Sequence, residues 1–338
     1  MTALDDSAPG VSASGRGGRL GRDLLALAVI AAIGVAGYFL LPNNLALLTR
    51  IITLMLLALS LDLVTGFAGI ATLGHAALFG AGAYAAGIAA ARFGIADPIA
   101  MLAIGAVAGA AMGLLSSTVI LRGHGLAQLV LSIAVAQLAQ EAANKASWLT
   151  GGSDGLAGIA PDPLFGLFQF DLWGKTVYGL ALGLLLLVFL ALRLVVRSPF
   201  GMLCRGIMED PVRVRAMGAP IYSTLMKMYV VSGAVAGLGG ALSAISTRVI
   251  GLDSLSFNLS AEVLVMLVLG GIGNLFGALV GTLVFVWFED LVSSINPFHW
   301  LTLVGLLLIA VVLFAPRGLT GGVVDIRDRL RRRGGGGA

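Results

Sequence analysis

The sequence predicts an all-α, polytopic integral membrane protein with about ten membrane segments. Three observations lead there. Of 338 residues, 58% are hydrophobic and only 11% charged, with a mean hydropathy of +1.00. A soluble domain carries roughly 25% charged residues, so this chain cannot clothe itself in a water-compatible surface. The apolar residues fall in successive stretches near 20 residues, the length a helix needs to cross the hydrocarbon core. Finally, the Lys and Arg residues cluster in alternate connections, as the positive-inside rule requires of a multi-pass chain.

The stretches follow in order as Leu24–Leu41, ended by Pro42-Asn43-Asn44, then Leu45–Val64, Ile70–Ala91, Pro98–Leu121 and Leu126–Ala143. A loop over 144–175 carries Gly, Pro and Asp. Thr176–Val196 comes next, followed by a basic loop over 197–227, then Met228–Thr247, the long run Leu259–Phe288 and Phe298–Ala315. Residues 1–23 and the arginine-rich 317–338 are read as tails around a membrane domain spanning 24–316. The first stretch follows Arg16, Arg19 and Arg22 like a signal peptide. It runs into Asn43–Asn44 without a small-residue cleavage site, so it reads as a retained span.

Orientation follows from the basic residues. With the N-terminus inside, Arg16, Arg19, Arg22, Arg122, Arg193, Arg197, Arg205, Arg213, Arg215, Lys227 and the six tail arginines from Arg317 to Arg333 all fall inside. Only Arg50, Arg92, Lys145, Lys175 and Arg248 lie outside or near it. Both ends of the 227–317 segment then sit inside, which demands an even number of crossings from three apolar stretches. The centre of Leu259–Phe288 reads Gly270-Gly271-Ile272-Gly273-Asn274. Each Gly costs a helix interior about 1 kcal/mol relative to Ala. A break at 270–274, turning the run into a hairpin, restores the parity.

Among chemistry-bearing residues, the single Cys204 excludes an internal disulfide or a cysteine-built metal centre. His75, His124 and His299 have no ligand spacing. No phosphate-binding loop, nucleophile elbow or paired carboxylate occurs, so the chain alone is expected neither to bind ATP nor to catalyse a reaction. No cofactor, metal or nucleic-acid partner is expected. The glycine series 105/109/113, 233/237 and 273/277/281 each smooth one helix face for close packing, or line a pore. Asp62, Glu141, Glu262 and Glu289 lie near expected span ends, either as headgroup anchors or as transport groups. On Leu126–Ala143, the residues Gln137, Gln140, Glu141 and Asn144 share an arc of about a third of the helix circumference. That stripe either bonds neighbouring helices or lines a wet path, to which the polar Asn274 at the glycine break is added as a candidate. In the basic loop, Phe200–Met208 after Pro199 predicts a short amphipathic helix with Leu203, Ile207 and Met208 on one side. A second runs from Pro211 to Met217 and is ended by Gly218. Such a pair reads as a docking surface.

Four segments together resemble the permease subunits of bacterial branched-chain amino acid ABC importers, the larger of the two subunit types most closely. Thr65-Gly66-Phe67-Ala68-Gly69 and Thr72-Leu73-Gly74-His75-Ala76-Ala77-Leu78-Phe79-Gly80-Ala81-Gly82-Ala83-Tyr84 are similar to the family's TG-x-x-G-x-x-SLGHAAFFGIGAY signature, with Thr72 for the usual Ser. Leu149–Ile159, with its Thr150-Gly151-Gly152-Ser153-Asp154-Gly155 core, is family-like. Ser198-Pro199-Phe200-Gly201 through Met217-Gly218 resembles SPFGRALRAIREDE-x-A-A-x-x-MG, with Met202 for the usual Arg. Gly270-Gly271-Ile272-Gly273 and Gly277 match the late glycine motif. The likeness covers about residues 45–320.

The resemblance implies a type II ABC-importer-like permease in the bacterial inner membrane, both termini cytoplasmic. It implies four partners in kind: lipid, a second homologous permease, two ABC ATPase subunits and an external solute-binding protein. It makes Arg205, Glu209, Asp210, Arg213, Met217 and Gly218 the expected ATPase-coupling residues. Branched-chain amino acids are the expected cargo. Urea, short amides and aromatic acids remain alternatives within the family, and an ion-coupled secondary transporter using the glycine break with Glu262 or Glu289 is the alternative outside it.

Overall fold

A computed structural model describes residues 15–164, 166 and 174–295, with isolated positions between 302 and 319. Two units divide the chain, 1–42 and 43–338. The first holds one helix, α1 (Gly15–Leu40), which begins inside the stretch expected as a tail. Most of the expected stretch Phe298–Ala315, and all of 317–338 except Gly318 and Leu319, lie outside the described residues.

Helices make up most of the second unit's described length, joined by non-helical connections. Its helices are α2 (Leu45–Asp62), α3 (Ala76–Phe93), α4 (Pro98–Ile120), α5 (Leu126–Lys145), α6 (Ser147–Thr150) and α7 (Lys175–Arg197). There follow α8 (Pro199–Glu209), α9 (Pro211–Ala216), α10 (Ile221–Thr247), α11 (Phe257–Gly270) and α12 (Leu275–Ile295). Seven described helices are long and apolar enough to cross a membrane, and Leu27–Leu40 and Phe257–Gly270 are shorter apolar helices beside them.

The core is α2, largely apolar and buried from Ile51 to Asp62. Around it pack α7, α10, α11 and α12, while α3 and α4 lie against α10. Where α4 meets α10 the glycine stripes interlock. A Cβ on Gly237 would collide with the Gly105 carbonyl oxygen, and one on Gly109 with the Gly233 carbonyl oxygen. In lipid, where burial of apolar surface no longer drives association, such backbone approach supplies the packing attraction.

Two expected boundaries move. The stretch beginning at Ile70 becomes helical only at Ala76, because residues 68–75 find partners outside their own helix. Ser132 Oγ of α5 accepts from Leu73 N at 3.0 Å, and Ser260 Oγ of α11 accepts from Ala76 N at 2.9 Å. Non-helical backbone survives at membrane depth only when protein satisfies it in this way. The helix expected from Met228 starts at Ile221, seven residues inside the expected loop. Pro220 precedes it, and Thr224 Oγ1 donates to the Pro220 carbonyl at 2.7 Å, closing its first turn.

The run 259–288 is broken where the glycines stand. Helix α11 ends at Gly270, α12 begins at Leu275, and Gly271 and Gly273 between them take φ of 109° and 79°, values open to glycine at little steric cost. Gly270, Gly277 and Gly281 close the hairpin, since a Cβ on Gly270 would strike the Gly277 carbonyl oxygen and one on Gly281 that of Met266. Thus only Gly277 and Gly281 of that series pack the helix pair, while Gly273 forms the turn.

Candidate functional site

Helix α8 starts because Ser198, in extended conformation, caps it by accepting from Gly201 N at 3.3 Å, with Pro199 in the first turn. Gly201 lets the helix fold tightly back on the Val195 and Val196 carbonyls ending α7. Cys204 and Ile207 are buried beneath it. Burial pushes the Cys204 thiol up to about 11, which keeps it protonated and unreactive. Met208, expected on the buried side with Ile207, is partly exposed, its stem lying against Gly69.

Asp210 interrupts the chain and starts α9, its Oδ1 accepting from Val212 N at 3.1 Å and Arg213 N at 3.0 Å. Its role here is that of a cap, with the Arg213 guanidinium 3.5 Å from its other oxygen. Val214 anchors α9, and Gly218 (φ 80°) ends it. Outward stand Glu209, Arg213 and Met217, together with Met202 and Val212; Val212 is 74% and Met217 70% exposed. An apolar set on a short, charged, firmly capped helix pair has the character of a protein-binding surface.

Arg205 points the other way. Its guanidinium lies over the Phe67 ring at 4.6 Å, in cation–π contact, and its charge acts on the Asp62 carboxylate. Asp62 is fully buried, and its Oδ1 accepts from Gly273 N at 2.7 Å in the turn between α11 and α12. Gly66 is obligatory beside them, because a Cβ there would strike Asp62 and the Gly273 backbone. The expectation that Asp62 serves a headgroup is therefore corrected: the final turns of α2 fold under the glycine turn, and the carboxylate pins it. A small cavity of about 170 Å³ adjoins, lined by Phe67, Arg193, Arg197, Arg205, Asn274 and Phe276 among others. Arg193 stacks on Phe189 and Phe276 at 5.8 and 5.4 Å. Asn274 Oδ1 caps α12 by accepting from Phe276 N at 3.1 Å.

Asn274 thus sits at the basic-loop end, whereas Gln137, Gln140, Glu141 and Asn144 lie toward the far end of α5. The structure does not bring them together. Gln137, Glu141 and Asn144 are exposed and Gln140 half-buried, with Glu141 3.5 Å from Lys145. Only Ser132 and Ala136 of α5 are buried, so the stripe bonds no neighbouring helix among the described residues. Glu289, also expected as a headgroup anchor or transport group, is held by Arg50 of α2, whose Nη2 donates to both its oxygens at 3.0 and 3.2 Å.

Sequence reasoning missed a polar knot at the start of α3. His75 Nε2 lies 3.0 Å from both Ser60 Oγ and Ser232 Oγ. Those hydroxyls donate elsewhere, to the Leu57 and Ser60 carbonyls at 2.6 and 2.7 Å, so both accept from a proton assigned to Nε2. The only signal available was serine inside apolar runs, which by itself reads as tolerated polarity.

The comparisons agree with this architecture. A family model described as branched-chain amino acid transport system / permease component matches residues 43–314. The chain is 27% identical over 321 residues to the high-affinity branched-chain amino acid transport system permease protein LivM of Escherichia coli (strain K12), covering 87% of this chain and 74% of that protein. It is 28% identical over 320 residues to the LivM protein of Salmonella typhimurium, covering 88% and 74%. A shorter match, 26% over 168 residues, covers 47% of this chain and 53% of the probable branched-chain amino acid transport permease protein LivH of Methanocaldococcus jannaschii. No solved structure gives a significant match. The model match spans most of the chain, including the capped helix pair and the glycine turn, and the chain belongs to the family of branched-chain amino acid transport system permease components.

Proposed function

We propose that this chain is one of two homologous permeases in an ATP-driven importer of the bacterial inner membrane, carrying branched-chain amino acids handed over by an external solute-binding protein. ATP is hydrolysed on two separate ATPase subunits. The N- and C-termini and the α8–α9 face lie in the cytoplasm, which puts sixteen basic residues inside as the charge rule requires. The uncovered polar face of α5 then looks onto the second permease and the path between the two chains.

The observation that carries the reading is the α8–α9 pair. Its outer face presents Met202, Val212 and Met217 with Glu209 and Arg213. Its inner face is tied by Arg205 to Phe67, within electrostatic reach of Asp62 and across a small cavity from the 270–274 turn. Force applied by closing ATPases on the outer face would be delivered to the hairpin of α11 and α12. A secondary transporter has no use for such a handle.

Mild-detergent purification from the native membrane, with mass identification of companions, tests the class. An ATPase and a second permease are expected. The chain alone, still transporting in vesicles, would overturn the reading. Leucine uptake by the reconstituted complex, supplied with its binding protein, tests the cargo; import of urea or an aromatic acid instead would overturn that part only.

A further inference from the structure

A second and larger cavity, about 740 Å³, opens at the end of the fold opposite the basic loop, between α2, α10, α11, α12 and the turn Leu252–Leu255. That volume lies within the roughly 300–1,000 Å³ range of small-molecule sites. Its charged lining is Arg50, Asp253 and Asp290. All three are exposed side chains, and each lies near a helix end or in a turn at that face. Arg50 engages Glu289 through Nη2 alone, and a guanidinium has five N–H donors in a fixed fork. Its side chain is 51% exposed, so donors remain for a second carboxylate.

The rest of the lining divides cleanly. Ser243, Ser246 and Thr247 put hydroxyls on one face of α10, at the i, i+3 and i+4 spacing that keeps side chains together. Leu54, Phe79 and Leu259 supply an apolar wall. Since Glu289 already balances Arg50, and Glu262 lies within electrostatic reach of both, the lining is acidic on balance and favours a ligand with a cationic end.

From this we infer that the cavity is a transit site for a zwitterionic aliphatic amino acid. The carboxylate bridges to Arg50, the ammonium sits between Asp253 and Asp290, and the side chain lies on Leu54, Phe79 and Leu259. The inference rests on the proposed import of branched-chain amino acids and sharpens it, because this lining rejects the other cargoes. Urea and short amides carry no ions to match it. An aromatic acid could use Arg50 but would meet two carboxylates with nothing to offer them. Under the proposed orientation the cavity is the first station after the binding protein lets go.

The test uses the full complex in vesicles, with its binding protein. Asp253→Asn/Asp290→Asn should lower leucine uptake at least tenfold while the chain still co-purifies with its partners. Independently, Ser246→Cys places a reporter on the cavity wall in a chain whose only native thiol, Cys204, is buried. Millimolar leucine should slow thiosulfonate modification of that reporter several-fold. The keto acid 4-methyl-2-oxopentanoate, which lacks the ammonium, should not. Uptake within twofold of wild type in the double variant, or equal protection by leucine and its keto acid, overturns the site. A wild-type complex that imports no leucine at all removes the cargo reading itself, and the site with it.

Discussion

Asp62 and Gly273 stand 211 residues apart, yet the carboxylate Oδ1 of one accepts the backbone N–H of the other at 2.7 Å. The bond ties the last turns of the central helix to the turn of the α11–α12 hairpin. Arg205, from the outer helix pair, lies over Phe67 and within electrostatic reach of the same carboxylate. Two parts of the chain therefore meet at one side chain, and a third, through Arg205 on Phe67, lies within its electrostatic reach.

Asp62→Asn keeps an acceptor for Gly273 and loses a carboxylate within electrostatic reach of Arg205; Asp62→Leu loses both. A buried N–H left without a partner costs about 1–3 kcal/mol. The leucine variant should therefore melt several degrees lower in detergent and import poorly, while the asparagine variant folds normally. Gly66→Ala, whose Cβ strikes Asp62 and the Gly273 backbone, should resemble the leucine variant. Equal melting of all three with wild type would mean the turn is held by other contacts.

The α4–α10 seam predicts a contrast between glycines. Gly237→Ala places a Cβ on the Gly105 carbonyl, and overpacking of that kind costs about 1–3 kcal/mol. Gly183→Ala on α7, where a Cβ meets nothing within 4 Å, should be neutral or slightly stabilising, as alanine is the better helix former. Thermal unfolding of the two purified variants decides it; similar losses in both would show that helix propensity, not contact, sets the effect.

Much of this arrangement was legible because its signals are local. Pro199, Pro211 and Gly218 bracket α8 and α9 to within a residue or two, and the glycines of 270–274 mark the hairpin turn. What escaped was held from a distance. Residues 70–75 are apolar enough to read as helix, and the groups that keep them out of one come from Ser132 and Ser260 on other helices. Asp62 ends an apolar run, as a headgroup anchor would, and only the fold brings Gly273 beneath it. The same holds for Arg50 and Glu289, whose pairing spans 239 residues.

Glu209 and Asp210 are neighbours with different duties, so their variants should differ. Glu209 is exposed on the outer face of the pair. Glu209→Lys is expected to abolish coupled uptake while the chain still reaches the membrane, because the charge is reversed on the face proposed to dock the ATPase. Asp210→Ala removes the cap of α9, a loss of about 1 kcal/mol, and should weaken ATPase co-purification partly. Normal uptake by Glu209→Lys would place residue 209 outside the interface.

Cys204 supplies a pH test. Its thiol is raised from 9.0 to about 11 by burial, so the folded chain binds this proton more tightly than the unfolded one. Stability from this group is intact below pH 9 and falls as pH climbs from about 9 to about 11. Maleimide modification of the folded complex should accordingly be slow near neutrality and accelerate only over that range or on unfolding. Fast labelling at pH 7 would show that α8 lifts readily, exposing the face that carries Cys204 and Ile207.

The orientation and the hairpin can be tested together by single cysteines read with an impermeant reagent on whole cells. Asp154 lies in the exposed turn after α6, at the face where Leu156 pairs with Ile250. Ser294 lies at the end of α12 and is exposed. Arg215 lies on α9, on the opposite face. If α11 and α12 form a hairpin whose turn packs beside Asp62 and Arg205, the end of α12 must return to the face that bears Asp154. Asp154→Cys and Ser294→Cys should therefore label from outside, and Arg215→Cys only after permeabilisation. Labelling of Arg215→Cys in intact cells, with the other two silent, would invert the chain and contradict the charge rule. Labelling of Asp154→Cys without Ser294→Cys would leave the orientation standing and remove the hairpin, because an unbroken helix from Leu259 would then carry residue 294 to the cytoplasmic side.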